Sequence, residues 1–228
     1  TLEQSKKWFK EAKYGMMIHW GLYALPAGEW KGRRMEDIGE WAMQYFRIPR
    51  AEYHTLASAF NPILFDAESW VKLALDAGMK YMVFTSKHHD GFAMYRSEVS
   101  KYNIADAAPF GRDVVAELAE ACYKHGLRFG LYYSQDLDWD EPDGGGYNTG
   151  KTWCGGKAWW TNNWDFPDKE KKDFSCCFES KIKPQVKEIL TKYGELCLIW
   201  FDCPLTVTSE QTDELYSMVR HYQPGCLV

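Results

Sequence analysis

The chain repeats one pattern three times: a helical segment, a glycine, and then an almost wholly apolar strand. The helical segments span residues 68–77, 113–125 and 183–193, and each is followed by a glycine, namely Gly78, Gly126 and Gly194. Glycine is favoured there because the residue just past a helix commonly takes the left-handed backbone conformation. The strands that follow, at 81–85, 129–133 and 196–201, are typical of strands buried on both faces of a parallel sheet.

Two flanking segments extend this series. An earlier strand is predicted at 14–20, and a helix at 210–222 leads to a further apolar segment at 226–228. The chain thus contains four β/α units and the first residues of a fifth strand. Regular alternation of strands and helices predicts an α/β fold with right-handed crossover connections.

Polar residues at the strand ends favour one α/β architecture over another. A doubly wound nucleotide-binding fold needs a glycine-rich turn after its first strand, and the sequence Trp20-Gly21-Leu22-Tyr23-Ala24 does not provide one. A (β/α)8 barrel instead carries its chemistry at the C-terminal ends of its strands. Four successive strand ends carry polar residues: His19, Lys87-His88-His89-Asp90, Tyr133-Ser134-Gln135-Asp136, and Asp202. We therefore expect a (β/α)8-like (TIM) barrel.

The length of the chain limits how much of that barrel it supplies. A complete barrel needs about 250 residues and eight strands, whereas these 228 residues reach only the fifth strand. An open half-barrel would expose apolar strand edges. We therefore interpret residues 1–228 as the N-terminal part of the barrel domain, and we expect the remainder in a longer chain or in a second chain.

Charge and composition argue against several classes of partner. The net charge of −5 does not attract a phosphate backbone, so nucleic acid is not an expected partner. The longest apolar runs, such as 197–201, are too short to span a bilayer, so no membrane partner is expected. The seven cysteines lack CxxC spacing, and mostly reduced cysteines favour a cytoplasmic location. Because the chain starts with Thr1, removal of a signal peptide would equally allow a secreted or periplasmic one.

A long segment at about 135–178 shows neither helical nor strand periodicity. It carries five of the eleven tryptophans, Trp139, Trp153, Trp159, Trp160 and Trp164. Disordered loops are poor in tryptophan, so we expect this one to pack. It either covers the barrel mouth with a small core of its own or forms a lid whose tryptophans contact a ligand.

Asp202 is the first candidate for a chemical role. It follows an apolar run at the end of the fourth strand, which places it at the floor of the barrel mouth. The alternative is a cap for the next helix, but Ser209 is better placed for that. Asp136, Asp138 and Asp140 in the long loop are weaker rivals for a carboxylate role.

Three histidines at strand ends are candidate ligand contacts. His88 and His89 are neighbours, and neighbouring strand residues point to opposite faces, so they seldom bind one metal ion. No HxH or HExxH spacing is present, so we expect neither a metal site nor a cofactor. Neutral imidazoles can instead bond the hydroxyls of a polyol. His19, which ends the first strand, is as consistent with a structural role as with a functional one.

Five motifs together resemble a known family. They are Met17-Ile18-His19-Trp20-Gly21, Gly39-Glu40-Trp41, Lys87-His88-His89-Asp90-Gly91-Phe92, Tyr132-Tyr133-Ser134 and Trp200-Phe201-Asp202. In this order they resemble the α-L-fucosidases of glycoside hydrolase family 29, and the resemblance covers nearly the whole chain. The Lys-His-His-Asp-Gly-Phe motif is the most specific of the five.

The resemblance implies a barrel enzyme that removes terminal L-fucose from oligosaccharides or glycoconjugates with retention of configuration and without a metal or organic cofactor. It implies that Asp202 is the nucleophile that forms a covalent glycosyl-enzyme intermediate. It also implies that the fucose pocket is formed by His19, Glu40, Trp41, His88, His89, Tyr133 and Trp200. The long Trp-rich loop looks more like the branch of the family that acts on 1,3/1,4-linked fucose.

Two departures from the family pattern leave an alternative open. Cys203 stands where the family usually has glycine after the nucleophile. The family's acid/base glutamate is expected beyond residue 228, since a retaining glycosidase needs two carboxyl groups. A non-catalytic fucose-binding barrel fragment is therefore the alternative function, and a metal-dependent barrel hydrolase is a third.

Overall fold

The computed structural model describes residues 1–147 and 160–228. Trp153 and Trp159, which the sequence places in the long loop, lie outside these ranges. The helices are α1 (Leu2–Ala12), α2 (Ala42–Phe46), α3 (Arg50–Tyr53), α4 (Thr55–Ala59), α5 (Ala67–Asp76), α6 (Val114–His125), α7 (Phe174–Cys177), α8 (Lys183–Lys192) and α9 (Ser209–Tyr222). The strands are β1 (Met16–Ile18), β2 (Glu29–Trp30), β3 (Arg33–Arg34), β4 (Tyr81–Lys87), β5 (Arg128–Tyr133) and β6 (Ile199–Phe201).

Four strands form a parallel sheet in the order β1-β4-β5-β6, and β2 and β3 form a short antiparallel hairpin. This order follows the chain without a reversal, as in a barrel, whereas a doubly wound sheet reverses at its switch point. Leu227 pairs in parallel with Leu198 beside β6, which is the start of the expected fifth strand.

The helices end where the sequence predicts, with some changes at their starts. Gly78, Gly126 and Gly194 all have positive φ, between 71° and 80°. Thr208 rather than Ser209 is the N-cap of α9, because its side chain accepts from the N–H of Gln211 in a capping box.

The strands at both ends of the sheet are shorter than their apolar runs. The predicted 14–20 and 196–201 become Met16–Ile18 and Ile199–Phe201. The long loop also ends earlier than predicted, because Asp173 caps α7 and a π-helical turn at Phe178–Ile182 joins α7 to α8.

The two faces of the sheet pack against different partners. On one face, Phe84, Leu131 and Tyr133 join the large core formed with the helices. On the other face, Val83, Tyr132 and Leu198 form a separate small cluster. The pairing of Thr85 with Tyr132 and of Tyr132 with Trp200 places these three side chains in one layer of that second face, which corresponds to the inside of a barrel.

Two expectations about location and partners meet the fold here. The six cysteines within the described ranges, Cys122, Cys176, Cys177, Cys197, Cys203 and Cys226, form no disulfides. Across residues 1–147 and 160–228, each helix is too short or too polar to traverse a bilayer.

Candidate active site

Asp202 lies just beyond β6, where two side chains from neighbouring strand ends approach it. The hydroxyl of Tyr132 donates a hydrogen bond of 2.8 Å to Oδ2 of Asp202. Nε2 of His89 lies 3.7 Å from the same oxygen. The Asp202 side chain is 32% exposed, whereas that of His89 is 1% exposed. The carboxylate therefore stands at the floor of an open cleft with a buried imidazole and a phenol behind it.

His89 and His19 are held in the same way. Nδ1 of His89 is 2.7 Å from Oγ of Ser134, and this hydroxyl donates its own proton to the carbonyl of Leu137. Each serine or threonine hydroxyl has one proton, so Oγ must accept from His89, which places the ring proton on Nδ1. Nε2 of the neutral ring is then left with its lone pair facing Asp202.

His19 repeats this arrangement one layer away. Its Nδ1 lies 2.7 Å from Oγ1 of Thr85, and Thr85 donates to the carbonyl of Ile18. Nε2 of His19 is thereby also left as an acceptor. Burial lowers the pKa of His19, although the negative charges of Glu40 and Asp202 oppose this.

His88 completes the group of histidines. Its ring stacks on Tyr132 with centroids 5.5 Å apart and lies 4.1 Å from the ring of His89. Its Nδ1 is buried and has no hydrogen-bond partner among the described residues. Burial, together with the neighbouring cationic groups, lowers the pKa of both His88 and His89 well below the usual value, so these rings are neutral near pH 7.

Aromatic side chains flank the cleft on two sides. Trp41 contacts the ring of His89 edge-on at 5.1 Å and also contacts Trp139 and Trp160 of the long loop at 5.3 and 5.1 Å. Glu40 precedes Trp41 in the same 3₁₀ turn, Gly39–Trp41. Trp200 lies in the layer of Tyr132 and is half exposed. The loop tryptophans described here therefore support Trp41, and Trp139 is fully buried.

Tyr133 is the one predicted pocket residue that the structure places elsewhere. Its side chain is fully buried on the helix side of the sheet, and its hydroxyl donates a 2.9 Å hydrogen bond to Gln185 of α8. Adjacent strand residues point to opposite faces, so Tyr132, not Tyr133, reaches Asp202. The sequence gave little warning, because both residues are tyrosine and both faces of the strand are buried. The register against Thr85 and Trp200 is the signal that distinguishes them.

The outer residues of the Lys87–Phe92 motif hold the long loop. Nζ of the fully buried Lys87 lies 2.8 Å from Oδ2 of Asp138, and Lys181 lies 3.0 Å from the same oxygen. Asp90 accepts a 2.9 Å hydrogen bond from Tyr53, and burial raises the pKa of Asp90 to about 7. Only the two central histidines of the motif face the cleft.

The two other acidic loop residues that rivalled Asp202 are also used internally. Asp140 bonds Arg50 at 2.7 Å and His54 at 2.5 Å. Although burial opposes it, these two hydrogen bonds lower the pKa of Asp140 to about 2. Both are therefore contacts within the protein rather than with a ligand.

Asp136 fastens the segment that follows Asp202. Its Oδ2 accepts hydrogen bonds from the backbone N–H groups of Leu205, Thr206 and Val207 at 2.9, 2.6 and 2.7 Å. Its Oδ1 accepts from the N–H of Gly146 at 2.9 Å. One buried carboxylate thus ties the chain just beyond Asp202 to the start of the long loop.

Comparison with known proteins identifies the fold and the family. A family model described as alpha-L-fucosidase matches residues 1–228. The unliganded alpha-L-fucosidase AlfC from Lactobacillus casei is 55% identical, with a TM-score of 0.92 over 98% of this chain and 69% of that one. An alpha-L-fucosidase from Vibrio sp. strain EJY3 is 40% identical, with a TM-score of 0.88 over 98% of this chain and 37% of that one. The α/β barrel prediction is confirmed, and the four strands correspond to the N-terminal region of the TIM barrel.

Curated relatives agree but are longer. The tissue alpha-L-fucosidase of Mus musculus is 38% identical over 143 residues, which are 59% of this chain and 31% of that protein. The Homo sapiens protein of the same name is 40% identical over 144 residues, 59% of this chain and 30% of that protein. The matched part thus spans about a third of these relatives. With a family model that matches from the first residue to the last, the chain belongs to the alpha-L-fucosidase family.

Proposed function

We propose that the protein containing this chain is a retaining α-L-fucosidase in which Asp202 is the nucleophile. The observation that carries the proposal is the position of the Asp202 carboxylate, which is one-third exposed at a strand end and held from behind by the hydroxyl of Tyr132. Its open side faces a cleft large enough to admit a ligand from solvent.

The neighbouring histidines suit a sugar as the ligand. Nε2 of His19 and Nε2 of His89 are both left as acceptors, so each can receive a hydrogen bond from a sugar hydroxyl. The unpartnered Nδ1 of His88 is a further site for such a bond if its ring turns toward the cleft. The half-exposed Trp200 offers an apolar face against which the C6 methyl of fucose can pack.

The proposed reaction follows from this arrangement. Ionised Asp202 attacks the anomeric carbon, the bond to the leaving oxygen breaks, and a glycosyl-enzyme ester forms that water then hydrolyses. A second carboxyl group, about 5–5.5 Å from the first, must protonate the leaving oxygen. We assign no residue of 1–228 to that role and propose that it comes from sequence beyond residue 228.

Relatives point to the substrate class. A mutant of AlfC is described in complex with 4-nitrophenyl-a-L-fucopyranoside, and the AlfC protein is also described in complex with Fuca(1,6)GlcNAc. The second relative is 55% identical over 96% of this chain. We therefore propose terminal α-1,6-linked fucose as substrate, in place of the 1,3/1,4 linkage that the long loop suggested.

One experiment separates this proposal from the non-catalytic alternative. The complete protein should hydrolyse an aryl α-L-fucoside, and Asp202→Gly should nearly abolish turnover. Added azide should restore consumption of the fucoside by that variant and give the inverted fucosyl azide, because azide occupies the space of the missing carboxylate. Turnover of Asp202→Gly at the wild-type rate would exclude Asp202 as nucleophile. A wild-type protein that binds fucose without hydrolysing any fucoside would support the binding-module alternative.

A further inference from the structure

We propose that His89, Asp202 and Cys203 form a binding site for a zinc-like divalent cation, so that such an ion and a sugar compete for the same cleft. Among the described residues these three form a group whose ligand atoms, a His nitrogen, a carboxylate oxygen and a Cys sulfur, all lie within 4.8 Å of one another. The inhibitory consequence rests on the proposed function, whereas the binding site does not.

The separations suit tetrahedral coordination. Zinc binds nitrogen and oxygen at about 2.0–2.2 Å and sulfur at about 2.3 Å, so neighbouring ligand atoms of a tetrahedral site lie roughly 3.3–3.8 Å apart. Nε2 of His89 and Oδ2 of Asp202 are already 3.7 Å apart. Small rotations about the side-chain bonds of Asp202 and Cys203 bring the third ligand into range. Three protein ligands leave a fourth position for water.

His89 is already in the form that a metal ion requires. The chain of hydrogen bonds from Nδ1 to Ser134 and on to the carbonyl of Leu137 fixes the ring proton on Nδ1. The lone pair of Nε2 then faces a carboxylate oxygen, which is also an acceptor, and neither atom can satisfy the other. A cation between them resolves this conflict, and the Ser134 hydroxyl acts as the outer partner that orients metal-binding histidines.

Cys203 joins the site because the backbone turns after β6. Neighbouring residues of an extended strand point to opposite faces, which would separate the side chains of Asp202 and Cys203. Cys203 instead has a φ of 50°, in the left-handed region. This turn brings its sulfur to the side of the carboxylate, and sulfur adds the soft ligand that zinc prefers over magnesium or calcium.

Cobalt(II) is the probe, because it replaces zinc and reports thiolate ligation through a sulfur-to-metal charge-transfer band in the near ultraviolet. The complete protein should bind one equivalent of cobalt with this band, and zinc or L-fucose should displace it. Cys203→Ser should abolish the band and weaken zinc binding at least tenfold, as measured by calorimetry. Cys176→Ser, which changes an exposed cysteine outside the cleft, should leave both unchanged.

A second variant tests the orienting hydroxyl. Ser134→Ala should weaken zinc binding about 10–100-fold while the charge-transfer band at saturating cobalt persists. With a fucoside as substrate, zinc should raise the apparent KM and leave kcat unchanged. The absence of a thiolate band from the wild-type protein would overturn the metal site, whether or not fucoside is hydrolysed. A band displaced by fucose in a protein without hydrolase activity would support the site and contradict the proposed function.

Discussion

The hydroxyl of Tyr132 donates a 2.8 Å hydrogen bond to Oδ2 of Asp202, across the boundary between two neighbouring parallel strands. Burial and the adjacent carboxylate raise the pKa of Tyr132 well above its usual value, so the phenol remains a donor over the whole working range of a protein. The bond fixes one oxygen of the carboxylate and leaves the other toward the cleft.

The neighbouring tyrosines therefore offer a matched pair of variants. Tyr132→Phe should lower kcat/KM for an aryl fucoside about 10–100-fold, because the carboxylate loses the donor that orients it. Tyr133→Phe should leave kcat/KM within about twofold but lower the free energy of unfolding by about 1–3 kcal/mol, since Gln185 loses a buried partner. Steady-state kinetics and urea unfolding of both variants provide the measurement. The opposite ranking of activities would mean that Tyr133 faces the sugar.

Asp136 should act on the reaction from a distance. In Asp136→Asn an N–H₂ group must replace one of two oxygens that accept only backbone N–H donors, so the segment 205–207 or Gly146 loses its acceptor. We expect a loss of about 1–3 kcal/mol in the free energy of unfolding and a fall in kcat larger than any change in KM. Asp213→Asn, on the exposed face of α9, is the control. Unaltered kcat in a destabilised Asp136→Asn would show that the tether serves stability alone.

Gly91 should tolerate no side chain, for a reason separable from its backbone conformation. It has a φ of 79°, and a Cβ there would lie 2.5 Å from Oδ1 of Asp138. Gly32, in the β2–β3 turn, has a similar φ of 76° but nothing within 4 Å of the same position. Gly32→Ala should cost about 1–2 kcal/mol from backbone strain, and Gly91→Ala should cost clearly more. Equal losses in thermal unfolding would contradict the close contact.

The buried histidines should make folding sensitive to acid. Burial lowers the pKa of His19, His88 and His89 in the folded state. The unfolded chain then binds protons first, so stability falls as the pH drops below about 6.5, the unperturbed histidine pKa. Urea unfolding from pH 8 to pH 5 should show this loss, and His88→Gln should reduce its slope. His221→Gln, near the end of α9, should leave the slope unchanged.

Asp90 should have the opposite dependence. Its folded-state pKa of about 7 lies above the unperturbed value, so its contribution is fully present below about pH 4 and is lost as the pH rises to 7. Asp90→Asn cannot ionise. The difference in unfolding free energy, variant minus wild type, should therefore rise between pH 4 and 7, by on the order of 4 kcal/mol, and then stay constant. A flat difference would show that Asp90 is ionised throughout.

Hydrophobic patterning was enough to predict the sheet but not its faces. The helix–Gly–strand repeat located β4, β5 and β6 and the helices between them, because glycine caps and apolar runs are local signals. Strands buried on both faces lack alternation, and so Tyr132 and Tyr133 could not be told apart. The apolar run at 196–201 likewise overstated β6, since Leu196 and Cys197 are buried without joining the strand.

The same limit applies to the cleft. Spacing along the sequence argued against a metal site, yet the left-handed turn at Cys203 brings three ligand types together. The three aspartates of the long loop looked alike in sequence, and only their partners distinguish a backbone tether at Asp136 from ion pairs at Asp138 and Asp140. Such long-range contacts depend on the path of the loop, which no local pattern encodes.

The buried contact between Lys87 and Asp138 also has an evolutionary consequence. Loss of either charge leaves the other uncompensated in a closed interior, which is strongly destabilising, whereas replacing both by apolar residues is far better tolerated. Substitutions at positions 87 and 138 should therefore occur in pairs among homologues. Because Gly91 leaves no room beside Asp138, position 91 should be free to vary only in lineages where the pair has already been lost.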